Sequence, residues 1–335
     1  MSNLVTTIKD IFPKKKIAIL GDLVADQFLS GTISRVSREA PVFILKHDET
    51  ETLAGGAANA AVNIASLGGK PLLVGLVGRD ANGELLSNKL TSAGVDCTDV
   101  VTAESIATTT KIRVLAGQHY APRQQVIRID YENQASIAES VSAQLKENLE
   151  RVAALADAII ISDYGYGVAA RRLVERAGEL SHTRGIPLLI DSRFRLCDFA
   201  GSTTATPNQD EVEAIIGKNF TDSDCEKLRG DLRFESLLVT RGNKGMLLLE
   251  NGRAPLQIPA IGGLEPVDVT GAGDTVIAVY ALAIASGLNF VDAANIANHA
   301  GGLVVMKKGT ASISIDELLR SIEGTDNKKA SEALI

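Results

Sequence analysis

Asp268-Val269-Thr270-Gly271-Ala272-Gly273-Asp274-Thr275-Val276 runs directly into Ile277-Ala278-Val279-Tyr280-Ala281-Leu282-Ala283. Two glycines ahead of an apolar run predict a tight turn that opens a helix. Unpaired N–H groups at the positive end of that helix form an anion site, well suited to a phosphoryl group. Asp274 adds a carboxylate beside this anion hole. It repels the group it sits near, so binding alone does not explain it. A base that takes a proton from an attacking hydroxyl does. A loop ending in an Asp N-cap is the plainer alternative, and these nine residues leave both open.

The chain has 335 residues, enough for one large α/β domain or two smaller ones. At 45% hydrophobic and 22% charged residues it can bury a sizeable core. Aromatics are only 4% and Trp is absent, so that core must rest on Ala, Val, Ile and Leu. The net charge of −7 argues against nucleic acid as a partner. No segment approaches the ~20 apolar residues of a membrane span. Residues 1–16 lack an apolar core with a small-residue cleavage site, so neither membrane nor secretory signal is predicted. Cys97, Cys197 and Cys225 are odd in number and far apart, as expected of reduced thiols in a cytoplasmic protein. His47, His119, His182 and His299 form no metal-binding pattern.

Along the chain, 16–22 reads as a buried strand ending at Asp22, with Asp26 just beyond. Short alternating pieces between 30 and 46 suggest a small antiparallel sheet. The glycine-rich 53–59 leads into a helix at 60–67, followed by a strand at 71–77 and a helix at 83–93. Residues 108–130 interrupt this rhythm with strand-like pieces at 110–115 and 126–129, a second instalment of the small sheet. Then come helix 140–155, strand 158–162, helix 169–183, strand 187–191, a strand at 203–206, helix 209–216, strand 236–240 and a hairpin at 245–256. Helices at 274–286, 291–306 and 316–323 close the body, and 324–335 reads as a polar, frayed tail. Such alternation predicts a largely parallel sheet covered on both faces. The expected organisation is one domain over 1–323 carrying a small β lid.

No GxxxxGK[ST] loop and no strand-linked GxGxxG exists, so P-loop and dinucleotide-binding readings lose their main support. Asp22, Asp26, Asp163, Asp191 and Asn208 fall at predicted strand ends, where ligands of open α/β sheets bind. Asn208 and Glu211 sit three apart at a helix start. They form either a capping box or a pair orienting water on Mg²⁺. Lys111, Arg113, Arg123 and Arg128 make a cationic group unusual in an acidic chain, with Lys111 and Arg113 on one strand face. They are either solvated strand charges or a site for a phosphorylated substrate.

Ala54-Gly55-Gly56-Ala57-Ala58-Asn59-Ala60-Ala61-Val62-Asn63 resembles the N-terminal signature of the ribokinase-like (PfkB) carbohydrate kinases, and 268–275 their C-terminal signature. Gly21-Asp22, Thr206-Pro207-Asn208 with Glu211, and Thr240-Arg241-Gly242 also match, over roughly 15–320. Within the family the likeness is strongest to the heptose-phosphate kinase portion of bifunctional ADP-heptose synthase. It rests on 21–26, 34–42, 109–114, 124–130 and 162–165. Where that group has Asp-Pro-Lys-Gly, this chain has Asp191-Ser192-Arg193-Phe194, and its loop at 116–123 is longer.

The resemblance implies a doubly wound α/β fold with helices on both faces. It also implies a lid built from about 28–46 and 108–130, and a homodimer formed through that lid. It implies transfer of the ATP γ-phosphoryl group to a sugar, D-glycero-D-manno-heptose 7-phosphate at its anomeric hydroxyl, or otherwise another sugar or sugar phosphate. Asp274 is the implied base, with the amides from Ala272 to Asp274 as the anion hole, and Gly271, Ala272 and Gly273 count with it as the catalytic residues. Asp22, Asp26, Gly55, Gly56, Asn59 and Asp163 would hold the sugar, and Lys111, Arg113 and Arg128 its distal phosphate. ATP would lie along Asn208, Thr240, Arg241, Gly242, Gly245, Val267, Asn295, Asn298 and Gly302. Asn208 and Glu211 would act on Mg²⁺ through waters, and Asp268 would face a monovalent cation such as K⁺. A non-catalytic sugar or nucleotide sensor and a dehydrogenase are the rival classes. The retained base and the missing glycine fingerprint weigh against them.

Overall fold

Lys16-Ile17-Ala18-Ile19-Leu20-Gly21 is apolar after its first residue and almost wholly buried, as a strand covered on both faces must be. It forms strand β1 (Lys16–Gly21) of a computed structural model that describes residues 2–118, 123–133, 137–262 and 265–332. Helix α1 (Ser2–Thr6) precedes it. Asp22 alone separates β1 from β2 (Leu23–Val36), which pairs antiparallel with β3 (Phe43–Gly56). β3 runs without a break into α2 (Ala57–Ser66). There follow β4 (Lys70–Gly78), α3 (Ala81–Ser92), β5 (Val100–Ala103) and the antiparallel pair β6 (Thr110–Gly117) and β7 (Gln124–Tyr131). Next come α4 (Glu139–Ala153), β8 (Ala158–Asp163), α5 (Arg171–Arg184), β9 (Leu188–Ser192), β10 (Thr204–Ala205), α6 (Gln209–Ile216), α7 (Asp222–Asp231) and β11 (Ser236–Thr240). The hairpin β12 (Met246–Glu250) and β13 (Leu256–Ile258) leads to α8 (Ala272–Ala285), α9 (Phe290–Val304) and α10 (Ile315–Glu332).

Among the described residues nine strands form the large sheet in the order β13-β12-β11-β10-β9-β8-β1-β4-β5, parallel except for the β12–β13 hairpin. The chain winds outward through β4 and β5, returns to β8 on the other side of β1, and winds outward again. The switch point therefore lies between β1 and β8, and the crevice at the carboxyl ends of these strands is where such sheets bind ligands. One apolar cluster joins α2, α8, α9 and α10 to one face of the sheet. A second joins α4, α5, α6 and α7 to the other. No described helix is long and apolar enough to cross a membrane.

The small sheet has the order β3-β2-β6-β7. Its register aligns Asp26 with Lys111 and Lys111 with Asp130, and in the next row Phe28 with Arg113 and Arg113 with Arg128. These six side chains share one face. Ile112, Val114, Ile127 and Ile129 occupy the other.

The two-sheet α/β architecture is the one expected; several boundaries differ. β2 and β3 reach back to Leu23 and on to Gly56, well past the lid limits of 28 and 46. The polar run 47–52 hides that strand, because its solvated side chains break the apolar alternation. Asp26 accordingly lies inside β2 and not at the end of β1. β5 and α7 had no counterpart among the predicted elements, and α10 continues to Glu332, past the expected end at 323. Residues 119–122 of the lid loop, with His119, and 333–335 of the tail lie outside the described residues.

Two glycines of opposite requirement test this description. Gly245 adopts φ 87° between β11 and β12, and a Cβ there would collide with the Ile258 carbonyl. Gly178 sits inside α5 with nothing within 4 Å of an added Cβ. Gly178→Ala is expected to stabilise the protein by about 0.5–1 kcal/mol. Gly245→Ala is expected to destabilise it by more than about 1 kcal/mol. Urea unfolding read by circular dichroism checks both signs.

Candidate active site

Gly271 opens α8 in the left-handed region at φ 75°, and a Cβ there would lie 2.5 Å from Asn59 Nδ2. The turn thus needs glycine twice over, for its backbone and for the approach of α2. It places Asp274 on the first turn of α8, only 2% exposed. Asp274 Oδ2 accepts a hydrogen bond from Asn59 Nδ2 at 2.9 Å, and Oδ1 accepts one from the Tyr164 hydroxyl at 2.8 Å. Asn59 Nδ2 also reaches the Gly271 carbonyl, and Asn63, one turn along α2, donates to Asn59 Oδ1 at 3.1 Å and fixes the amide. Burial pushes the Asp274 carboxyl up to about 7, against the pull of these two donors; Asp26 adds to the rise and Lys111 opposes it. A carboxylate poised near neutrality is matched to general-base work. Burial, and then the charge of Asp274, hold the Tyr164 hydroxyl well above its ordinary value, so it stays a donor.

The anion hole is narrower than the sequence suggests. The Ala272 N–H is turned back to the Val269 carbonyl at 3.3 Å. The N–H groups of Gly273 and Asp274 have no partner among the described residues and open the helix toward a ligand. Nothing lies within 4 Å of a Cβ added at Gly273, so space for that ligand exists.

Several residues expected to touch sugar also build the site. Asp22 is 1% exposed, and its carboxylate accepts N–H bonds from Tyr164 (2.8 Å), Tyr166 (3.0 Å) and Val168 (3.0 Å). It clasps the loop after β8 and so presents Tyr164 to Asp274. Asp163 takes Ser192 Oγ at 2.7 Å and the Arg195 guanidinium at 2.8 Å. Each of the two carboxylates accepts hydrogen bonds from the protein on both of its oxygens. Gly55 and Gly56 leave room for neighbours: a Cβ on Gly56 would lie 2.6 Å from the Asp22 carbonyl, and one on Gly55 would meet the Asp26 carboxylate. Asn59 orients the base.

The lid cations divide. Arg113 Nη1 pairs with Asp26 Oδ1 at 2.5 Å, and its guanidinium lies 5.3 Å from the centre of the Phe28 ring. Arg128 grips Asp130 through two bonds of 2.9 Å, and Arg123 pairs with Asp48. Lys111 is different. It is 6% exposed and stands over the rings of Tyr164 and Tyr166 at 5.2 and 5.4 Å. It has no hydrogen bond or ion pair among the described residues. Burial lowers its basicity, Asp26 partly restores it, and the neighbouring cations Arg193 and Arg113 lower it again.

Two cavities flank the segment 266–273. A cleft of about 700 Å³ lies between the lid residues Phe28, Leu53 and Leu115 and the body residues Asp268, Thr270 and Gly309. An apolar cavity of about 220 Å³ is lined by Thr240, Gly242, Gly245, Asn298 and Gly302 with Met246, Ile261, Val276 and Gly273. Five of the nine residues predicted for the nucleotide meet there. Val267 faces the larger cleft instead. Asn295 donates within α9 to the Val291 carbonyl, Arg241 pairs with Asp222, and Asn208 caps α6 through its Oδ1.

Asn208 and Glu211 form the reciprocal capping box, with Asn208 N to Glu211 Oε2 at 2.8 Å and Glu211 N to Asn208 Oδ1 at 2.9 Å. Burial raises the Glu211 carboxyl despite that bond. Asp191, at the end of β9, is one of several strand-end acids in the sequence. Its carboxylate has no hydrogen-bond partner among the described residues. Burial and the adjacent Asp274, Glu211 and Asp163 push it well above the usual carboxylate range. An orphaned carboxylate beside a second one suits a hard cation bound through waters and phosphate oxygens. No described group of three His, Cys, Asp or Glu side chains is placed to hold a metal by itself. Asp268 gives its oxygens to the N–H groups of Thr270 and Gly309, both at 2.9 Å. These bonds outweigh burial and lower its pKa. Such a carboxylate is already satisfied and does not single out a monovalent cation.

Residues 14–317 match the description of the pfkB family carbohydrate kinases. The chain belongs to the pfkB family. Membership of this family of carbohydrate kinases places it among phosphotransferases with an alcohol group as acceptor. It is 40% identical over 321 residues to the bifunctional protein HldE of Chromohalobacter salexigens and 39% identical over 318 residues to that of Hahella chejuensis. These alignments cover 94% and 93% of this chain but only 65% and 64% of those proteins. Its fold is that of Arabidopsis thaliana ribokinase complexed with ribose and ATP (TM-score 0.69, 20% identity, 92% and 98% of the two chains). Phosphofructokinase-2 of Escherichia coli in complex with potassium is similar (TM-score 0.73, 19% identity, 91% and 97%).

The base network fixes the sign of a pH effect. A carboxyl raised to about 7 must lose its proton to act, so kcat/KM is expected to climb as pH rises through that value. Tyr164→Phe removes a donor that favours the charged carboxylate. A hydrogen bond to a charged group contributes about 1.5–3 kcal/mol, so the acid limb of the profile should move up by about one to two pH units. A limb that stays put, or moves down, contradicts the arrangement; pH–rate profiles of the two proteins decide.

Proposed function

We propose that the chain transfers the γ-phosphoryl group of ATP to the anomeric hydroxyl of D-glycero-D-manno-heptose 7-phosphate. The observation that carries the reaction type is the buried Asp274 held by Asn59 and Tyr164 beside the free amides of Gly273 and Asp274. The sugar reading is supported by the 40% identity to proteins named HldE and by the basic face of the lid. Acceptor and nucleotide enter from the two cavities on either side of 266–273. Asp274 takes the acceptor proton, and the two amides hold the transferring group, where one donor typically contributes ~3 kcal/mol. Lys111, close enough to act on Asp274, binds charge near the reacting centre. Arg113 and Arg128 stand one strand row further out, about 6.5 Å along the lid, and would meet a distal phosphate by exchanging Asp26 and Asp130 for it. Mg²⁺ fits the orphaned Asp191 and the free oxygen of Glu211, and when bound it would neutralise phosphate charge.

A second reading has its own support. Because Arg113 and Arg128 are already neutralised, the lid as it stands suits an unphosphorylated sugar of the fructose or ribose type. ADP release measured over sugars and their phosphates separates the two. Asp274→Asn is expected to fold normally and lose nearly all turnover of the preferred acceptor. Arg113→Ala is expected to raise the KM of heptose 7-phosphate at least tenfold more than that of the unphosphorylated heptose. Equal effects favour the second reading, and full turnover by Asp274→Asn removes the base.

A homodimer is supported by the outer lid face, where Ile127 is 53%, Ile129 41% and Tyr131 55% exposed. A row of exposed apolar side chains on a four-stranded sheet fits a second copy of itself. Ile129→Lys should convert the dimer to a monomer in sedimentation velocity. An unchanged assembly would place the interface elsewhere.

A further inference from the structure

Strand β9 ends at Ser192, and Arg193 continues its ladder by one bond, N–H to the Asp163 carbonyl at 3.0 Å. Arg193 is thereby set at the carboxyl edge of the sheet, in the crevice beside the switch point. Its guanidinium carbon lies 5.3 Å from the centre of the Phe194 ring. That ring is 71% exposed and rests on the loop after β8, where a Cβ on Gly165 would lie 3.4 Å from Phe194 Cδ2. A single exposed ring needs no explanation by itself; the charge that lies over it does. The ring supports a guanidinium with no ion pair and no hydrogen bond among the described residues, unlike Arg195 two positions on, which is bound to Asp163. The charge of Arg193 is felt by Lys111 and Tyr166 on the acceptor side and by Glu211 on the metal side. It lies within electrostatic reach of both groups.

We propose that Arg193, seated on Phe194, binds the phosphoryl group in transit between ATP and the acceptor. In that step the acceptor oxygen forms a bond to the γ-phosphorus as Asp274 takes its proton. The bond from the γ-phosphorus to the β,γ-bridging oxygen breaks, and ADP leaves with the electron pair. Negative charge is spread over three equatorial oxygens, and a planar guanidinium offers two parallel N–H donors to them. The amides of Gly273 and Asp274 approach from α8 and Arg193 from β9, so the group is held from two sides. Lysine at this position would supply a point charge without the fork, and Phe194 keeps the fork in place through its π face.

Binding of Mg·ADP with and without aluminium fluoride, followed by calorimetry, tests this with no sugar present, so an error in the proposed acceptor leaves the test intact. For the wild-type enzyme, aluminium fluoride is expected to tighten Mg·ADP at least tenfold. In Arg193→Ala the tightening should fall below threefold, while the affinity for Mg·ADP alone changes less than threefold. Arg193→Lys and Phe194→Gly should fall in between. Both positions are exposed, and unchanged melting temperatures confirm that the variants fold. Equal tightening in wild type and Arg193→Ala, or none in the wild type, overturns the proposal, as does a loss confined to Mg·ADP alone.

Discussion

The Asp22 carboxylate, accepting three backbone N–H groups from the loop after β8, is the interaction on which the site rests. It bridges β1 and β8, the two strands between which the winding of the sheet reverses. Burying an ion is expensive unless it is hydrogen-bonded, and even with three donors burial leaves its pKa raised. The return is geometric. The clasp fixes the backbone of Tyr164 and Tyr166, which in turn give Asp274 its hydroxyl donor and Lys111 its aromatic bed. A carboxylate held by three backbone donors thus determines where base and cation stand.

The lid is built onto the same residues. β2 leaves the body at Asp22, and β3 returns through Gly56 into α2, which carries Asn59. Both lid strands therefore terminate next to a partner of the base, one through Tyr164 and the other through Asn59. The two halves of the hydrogen-bond pair on Asp274 are set by the two roots of the lid.

How much of this was legible in the sequence depended on the range of the interaction. The turn at 271–274 and the helix it opens are local, so glycine spacing and the apolar run located them, along with the base. The alternation of apolar segments conveyed the parallel sheet and the flanking helices. Asp22 was picked out, but its role was not, because its partners lie 142 to 146 residues away. The cations of the lid were found as a group, yet their partners depend on side-chain reach: Arg128 takes Asp130 two residues along its own strand, and Arg113 crosses diagonally to Asp26 on β2. Tyr164 carried no composition signal of its own. The idle carboxylate of Asp191 is visible only when its surroundings are counted. The capping box at Asn208 and Glu211 is a case where both readings hold at once: the pair caps the helix and still leaves one carboxylate oxygen available.

The scarcity of aromatics has a use in this molecule. α2 packs against α8, and the buried residues there include Ala57, Ala58, Ala60, Ala61, Ala278 and Ala281. Side chains of one carbon let two helix axes come close, and only at such a spacing can an asparagine amide on one helix reach a carboxylate on the other. Methyl groups with no chemistry of their own act as spacers that set the reach of the proton acceptor's partner. Enlarging any of them would detune the enzyme from a distance, without touching a polar atom.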